Sequence, residues 1–253
     1  MSQSSPQEVM ICAAAREIRD GEVVFVGMRL PMMAFAVANR LYAPEAVAYY
    51  ECGIVRETVP DEMLFTLADP PAYRGAGWAT QTTYLLGQMA AGRVQLGLIG
   101  GAQIDRHGNL NTSRIGDGDH PLVRLPGGGG ATDFACLAHR TIIAMPHEKR
   151  RFVERVDYIT SPGYGEGGDW RTRQGLPRGG PSAVISTLGL LRFDEGGEAY
   201  LASYHPHSSA QEVVDNTGWD LAVASDVTAT PPPTEEELAV IREYDPAGFW
   251  AGG

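Results

Sequence analysis

The sequence predicts an α/β fold: an open, largely parallel sheet with helices on both faces and extra short strands in the C-terminal half. Three observations carry this. The apolar runs at 23–26, 94–99 and 141–145 are continuous rather than alternating, as in strands covered on both faces. Helix-like stretches separate these runs, which is the βαβ rhythm of a parallel sheet. Glycine (31) and proline (17) then punctuate the chain into short elements. At 253 residues the chain reads as one domain, 1–253.

In order, Val9, Ala13 and Ile18 fall near helical spacing, Asp20-Gly21 stops that helix, and 23–26 is β-branched strand. The plan repeats with a helix over 31–42, a break at Pro44 and a strand over 46–50. The segment "TQTTYLLGQMAAG" is a helix stopped by Gly92, followed by strand 94–99. Helix 132–139 feeds strand 141–145. Beyond it the expected strands 156–160, 183–187, 189–193 and 199–204 have few helices between them, so mixed or antiparallel additions are expected there. The tail closes with a Pro-rich spacer and an acidic-started helix over 234–243.

Charge narrows the function. Lys+Arg at 20 against Asp+Glu at 31 gives −11, which opposes nonspecific attraction to nucleic acid or an anionic membrane. No metal site is expected, because Cys12, Cys52 and Cys136 are scattered without Cys/His metal spacing and His205 and His207 have no carboxylate or thiol beside them. The three thiols also suggest a reducing, cytoplasmic setting. No uninterrupted apolar stretch reaches about 18 residues.

In open parallel sheets, ligands collect outside the carboxyl ends of strands. Three loops qualify. In "AYYECGIVRET" the expected strand 46–50 delivers Glu51 and Cys52, followed by Gly53. A polar strand end and a small buried thiol are the plain readings; a carboxylate held rigidly toward a crevice is the functional one. The second loop, "GGAQIDRHGNLNTS", carries Gln103 as a substrate-side candidate, while Asp105 and Asn109 fit a turn that satisfies its own backbone. The third, Gly127, Gly128, Gly129 and Gly130, opens a helix, where N–H groups can hold a developing oxyanion. It lacks the spacing and lysine of a Walker A loop. The basic run in "HEKRRFVERVDY" reads as a solvated helix start or subunit contact, with a phosphate site as the lesser use.

The blocks "ECG", "IGGAQIDRHGNLNTSRIGD", "GGGGA", "HEKRRF", "DYITSPG", "GLPRGGP" and "TGWDL" together resemble the family I coenzyme A transferases, in the branch of the glutaconate CoA-transferase β subunits. The likeness runs from about residue 9 to 245. It implies an α subunit as partner in an α2β2 or larger assembly, an active site in the cleft between the chains, and coenzyme A as a substrate thioester. It also implies that Glu51 attacks an acyl-CoA, forms a mixed anhydride and becomes a glutamyl-CoA thioester, with Gly129 and Gly130 the preferred oxyanion donors. Cys52 stands where the family usually has a small polar residue, as a pocket-shaping group or proton donor. Relatives of this fold that never transfer CoA include a decarboxylase of a methylglutaconyl-CoA and a steroid-ring hydrolase. Transfer to an acid is the first expectation, decarboxylation of a glutaconyl-type thioester the second, and a noncatalytic acyl-CoA-binding subunit the third.

Overall fold

A computed structural model describes residues 4–176 and 178–252; residue 177, inside the "GLPRGGP" block, lies outside the described residues. In chain order the helices are α1 (Pro6–Ala15), α2 (Leu30–Leu41), α3 (Pro70–Tyr73), α4 (Thr82–Ala90), α5 (Ala131–Leu137), α6 (Trp170–Arg173), α7 (Ala210–Asp215) and α8 (Glu235–Tyr244). The strands are β1 (Val23–Val26), β2 (Val47–Tyr50), β3 (Ile54–Arg56), β4 (Trp78–Ala79), β5 (Leu96–Ile99), β6 (Gln103–Ile104), β7 (Leu110–Asn111), β8 (Arg114–Ile115), β9 (Val123–Arg124), β10 (Arg140–Met145), β11 (Pro181–Ser186), β12 (Gly189–Phe193), β13 (Ala199–Tyr204) and β14 (Ala222–Ala229). The chain divides into two compact units, one running to Ile99 and resuming at Pro231, the other spanning Gly100–Thr230. Among the described residues no helix is long and apolar enough to cross a membrane.

The first unit has strand order β5-β1-β2-β3-β4. β1 pairs in parallel with β2, Val23↔Val47 through Val26↔Tyr50, and with β5 on its other side. β3 and β4 then add antiparallel strands. α1 starts in a capping box: Ser5 Oγ accepts the Glu8 N–H at 3.1 Å and Glu8 Oε2 accepts the Ser5 N–H at 2.8 Å. Val9 through Ala15 are all buried, so this helix is covered nearly all round. Glu8 also receives Arg242 Nε at 2.8 Å, tying α1 to α8. α8 begins in a second capping box, from Thr234 and Glu237, with Glu235 and Glu236 beside them in the first turn, where the helix dipole favours acids.

The second unit has order β10-β11-β12-β13-β14, with two small hairpins, β6–β7 and β8–β9. β10 and β11 are parallel, β12 is antiparallel to both neighbours, and β14 returns parallel to β13. Parallel pairing thus carries the β10–β11 side while antiparallel strands extend it, as expected of the C-terminal half. The expected strand 156–160 is not one. Its backbone is satisfied elsewhere: the Asp157 N–H reaches Gln103 Oε1, and the Thr160 N–H reaches Leu110 O. Strand β14, which the sequence does not reveal, is mostly exposed and polar, so it has no apolar run to mark it.

A buried polar network crosses this unit. His147 stacks on Phe152 at 3.7 Å, and its Nδ1 lies 2.9 Å from Ser186 Oγ. His205 donates from Nε2 to Ser186 O at 2.8 Å. Burial pushes His147 down to about 3 and His205 to about 4. The unfolded chain takes up a proton at each imidazole below about pH 6.5, whereas the folded chain refuses both until pH 3–4. Stability should therefore be full above pH 7 and fall as pH drops from about 6.5 toward 4, by as much as ~2.7 kcal/mol per pH unit where both differ by a whole proton. Urea midpoints taken at pH 7.5, 6 and 5 check this, and a midpoint constant over that range would refute it.

Candidate active site

β2 ends at Tyr50 and pairs antiparallel with β3 through Tyr50↔Ile54, so Glu51, Cys52 and Gly53 form the whole connection. The Gly53 N–H returns to Tyr50 O at 2.9 Å, closing a tight turn. Gly53 has φ +100, and a Cβ there would lie 2.0 Å from Thr80 O. No other residue fits without rebuilding the turn. The Thr80 N–H donates to Gly53 O at 2.7 Å, and Thr82 Oγ1 donates to Glu51 O at 2.7 Å. The main chain on both sides of Cys52 is thereby fixed by the segment entering α4. Glu51 itself is half-buried at the carboxyl end of a parallel strand, as the sequence led one to expect.

The Cys52 thiol donates to Leu67 O at 3.1 Å. Burial pushes its pKa up, so it stays a neutral thiol and a poor nucleophile. Its visible work is to fasten the 57–76 segment to the Glu51 turn. That segment is held at its base by Arg56, which is buried and donates to Thr58 O (2.8 Å), Ala72 O (2.8 Å) and Arg74 O (2.6 Å). A guanidinium with five fixed donors can satisfy a folded-back loop's carbonyls where an apolar side chain could not. Sequence reasoning missed Arg56; a charge inside the apolar run "GIVRE" was the available signal.

Alongside runs the β1–α2 turn. Because Val26 pairs with Tyr50 in parallel, Gly27 follows the same edge as Glu51. A Cβ on Gly27 would lie 2.6 Å from Leu98 O. Two residues on, Arg29 has φ 71 and ψ −121, the one positive-φ residue other than glycine among the described residues. Such a conformation costs on the order of 1–3 kcal/mol. Its guanidinium lies 5.1 Å from the Trp250 ring centroid, a surface contact worth roughly 0.5–1 kcal/mol. Trp250 Nε1 in turn donates to Leu64 O at 3.0 Å.

The glycine loop belongs to the second unit. The Gly127 N–H donates to Thr112 O at 2.8 Å, Gly127 and Gly129 have φ +96 and +50, and Gly130 caps α5. A Cβ on Gly128 would lie 3.0 Å from Thr132 Oγ1 and from Thr160 Cγ2. Among the described residues no backbone acceptor engages the N–H of Gly128 or Gly129. A knot of hydroxyls backs the loop: Thr160 Oγ1 accepts the Thr112 N–H at 3.0 Å, and Thr132 Oγ1 donates to Thr160 O at 2.8 Å. Such a turn, with N–H groups uncommitted and side chains absent, can receive an oxyanion.

Gln103 is buried with its amide committed: Oε1 accepts Asn111 Nδ2 at 2.7 Å, and Nε2 donates to Asp157 Oδ2 at 3.2 Å. Asp105 accepts the N–H groups of His107 and Asn109 at 3.0 and 3.1 Å, the self-satisfying turn its spacing predicts. In the "HEKRRF" block, Glu148 engages both Arg150 and Arg151, in a turn rather than a helix start. One cavity of about 490 Å³ lies beside Glu8 and Arg242, and another of about 500 Å³ beside Asp105, His107 and Trp170. Neither is lined by Glu51 or by residues 127–130.

The model of the family described as coenzyme A transferase matches residues 7–216. The chain is 38% identical to one chain of the 3-oxoadipate CoA-transferase of Pseudomonas knackmussii, over 97% of this chain and 95% of that one. It is 38% identical to one chain of the glutaconate CoA-transferase of Acidaminococcus fermentans, over 95% and 92%. The crystal structure of the latter organism's glutaconate coenzyme A-transferase superposes with a TM-score of 0.91 at 37% identity, covering 98% of this chain and 97% of that one. The decarboxylase AibA/AibB superposes with a TM-score of 0.85 at 26% identity, over 99% and 100%. On this agreement of sequence, fold and turn geometry, the chain belongs to the coenzyme A transferase family.

Proposed function

We propose that the chain is the β-type subunit of a heteromeric CoA-transferase acting on thioesters of small dicarboxylic acids, with Glu51 as the nucleophile. The observation that carries this is Glu51 on a three-residue turn whose backbone is pinned by Thr80 and Thr82, at the carboxyl end of a parallel strand. Two relatives of equal identity are named for glutaconate and 3-oxoadipate, so the shared substrate chemistry is the dicarboxylic acid and not unsaturation. The α-type partner is expected to complete the site: the cavities in this chain are not lined by the candidate residues, as befits a crevice walled by two polypeptides.

The chemistry balances on the carboxylate. Glu51 attacks the thioester carbonyl, the C–S bond breaks, and an acyl-glutamyl anhydride and CoA thiolate result. The thiolate then attacks the glutamyl carbonyl, releasing the first acid and leaving glutamyl-CoA. The acceptor carboxylate reverses both steps. A carboxylate is a weak nucleophile, so rate depends on positioning and on donors for each tetrahedral oxyanion. Gly128 and Gly129 are proposed as those donors, with Gly127 and Gly130 shaping the loop. Gly53 and Cys52 hold the turn, and Gln103 supports the 157 segment rather than touching ligand.

A second reading, decarboxylation of a glutaconyl-type thioester, draws on the likeness to the decarboxylase AibA/AibB. Loss of CO₂ would leave a dienolate on the thioester oxygen and need no acyl-enzyme. Treating the complex with acyl-CoA and borohydride separates the two. Transfer predicts a reduced adduct located by mass spectrometry at residue 51 and no CO₂. Gas release without an acceptor acid, and no adduct, would replace transfer by decarboxylation.

A further inference from the structure

A dicarboxylic acyl group brings a free carboxylate close to the carboxylate that must attack it. Two like charges in one site raise the energy of the ionised pair unless a cation stands between or beside them. The first unit contains eight arginines and no lysine. Arg16, Arg40, Arg74 and Arg242 pair with Glu237, Glu243, Glu62 and Glu8. Arg56 is consumed by backbone carbonyls. Arg19 and Arg93 precede β1 and β5 and so sit at the amino ends of those strands, away from the Glu51 edge. Arg29 remains.

Two independent placements bring Arg29 to the Glu51 edge. It lies two residues beyond Gly27, which follows the strand pair Val26↔Tyr50 alongside Glu51. Its guanidinium rests on Trp250, whose indole donates to Leu64 O, while Cys52, next to Glu51, donates to Leu67 O. Arg29 and Glu51 thus attach to opposite ends of one four-residue stretch, 64–67. Among the described residues Arg29 has no carboxylate partner, and its backbone conformation is one that glycine adopts freely. Neither the strain nor the missing counter-ion is explained by the Trp250 contact.

We infer that Arg29 binds the free carboxylate of the dicarboxylic acyl group and sets the preference for diacids over monoacids. The guanidinium fork matches a carboxylate with two parallel hydrogen bonds. The free carboxylate of a short diacid is a few bonds from the reacting carbonyl, whereas the phosphates of CoA lie a whole pantetheine arm away. The diacid is therefore the anion within reach of this edge. The inference rests on the assignment of Glu51 as acyl acceptor.

The test compares the wild-type complex with R29G and R29K, using glutaryl-CoA and butyryl-CoA. Glycine suits φ 71, so R29G should fold with an unchanged or raised melting midpoint. The ratio of kcat/KM for glutaryl-CoA over butyryl-CoA should fall about a hundredfold in R29G, as expected for losing a charged hydrogen-bonded pair, and recover in part in R29K. An unchanged ratio overturns the assignment. Should the complex turn over neither thioester, the proposed function fails first, and calorimetric titration with glutarate then decides Arg29 separately. Glutarate binding lost in R29G upholds the carboxylate site; no binding to the wild type, or equal binding to both, removes it.

Discussion

Replacing Glu51 by glutamine should reduce CoA-thioester turnover by the complex at least ~10³-fold while leaving its melting midpoint in place. The carboxamide has the same shape and the turn is held by backbone bonds to Thr80 and Thr82, so the fold has no reason to change. What is lost is the nucleophile, and removing a covalent nucleophile leaves only binding and oxyanion stabilisation. Glu51→Asp is the sharper comparison: it keeps the charge but withdraws the oxygens by one methylene, and a displacement of about 1 Å costs on the order of 10²-fold. Steady-state kinetics on both variants check the pair of values. Turnover by Glu51→Gln equal to the wild type would move the chemistry to the partner chain.

The largest stability effect is expected at Arg16. Its guanidinium grips Glu237 through Nε at 2.8 Å and Nη2 at 2.6 Å and also donates to Pro231 O and Pro232 O. The Glu237 side chain is fully enclosed, receives the Tyr42 hydroxyl, and caps α8. Burial alone would raise its pKa, but the hydrogen bonds from Arg16 and Tyr42 outweigh that and hold it low. Arg16→Met strands the acid, and breaking such a pair costs about 3–5 kcal/mol, or roughly 10 °C in melting midpoint for a chain of this size. The deficit relative to wild type should shrink at lower pH, because an unpaired buried carboxyl escapes its penalty by taking a proton. Urea denaturation of both proteins at pH 8 and pH 5.5 measures this. A deficit below 1 kcal/mol at both values would contradict the buried-pair account.

The elements most legible in the sequence were those whose burial is one-dimensional. Strand β1, helix α2 and strand β2 appear within a residue or so of the expected 23–26, 31–42 and 46–50, because a buried strand or helix must be apolar along its own length. Glu51 and the glycine run were found the same way, since each follows directly from the end of an element. Segment 156–160 misled for the opposite reason: Val156, Tyr158 and Ile159 look strand-forming, but no neighbouring strand offers a ladder, and Gln103 and Leu110 take its donors instead. Gln103 likewise looked available for ligand until Asn111 and Asp157 were seen to occupy it.

By itself the sequence determined the α/β class, the order of its main helices and strands, and the turn that carries the carboxylate, all of which depend on neighbours along the chain. Only the tertiary structure decided that Cys52 is a clip to Leu67, that Arg56 gathers carbonyls from 58 to 74, and that Arg29 holds a strained conformation beside the Glu51 edge. Those roles join residues that the sequence separates by up to 221 positions, Arg29 and Trp250, and hydrogen bonds and ring contacts are set by proximity in space, which no local pattern of polarity encodes.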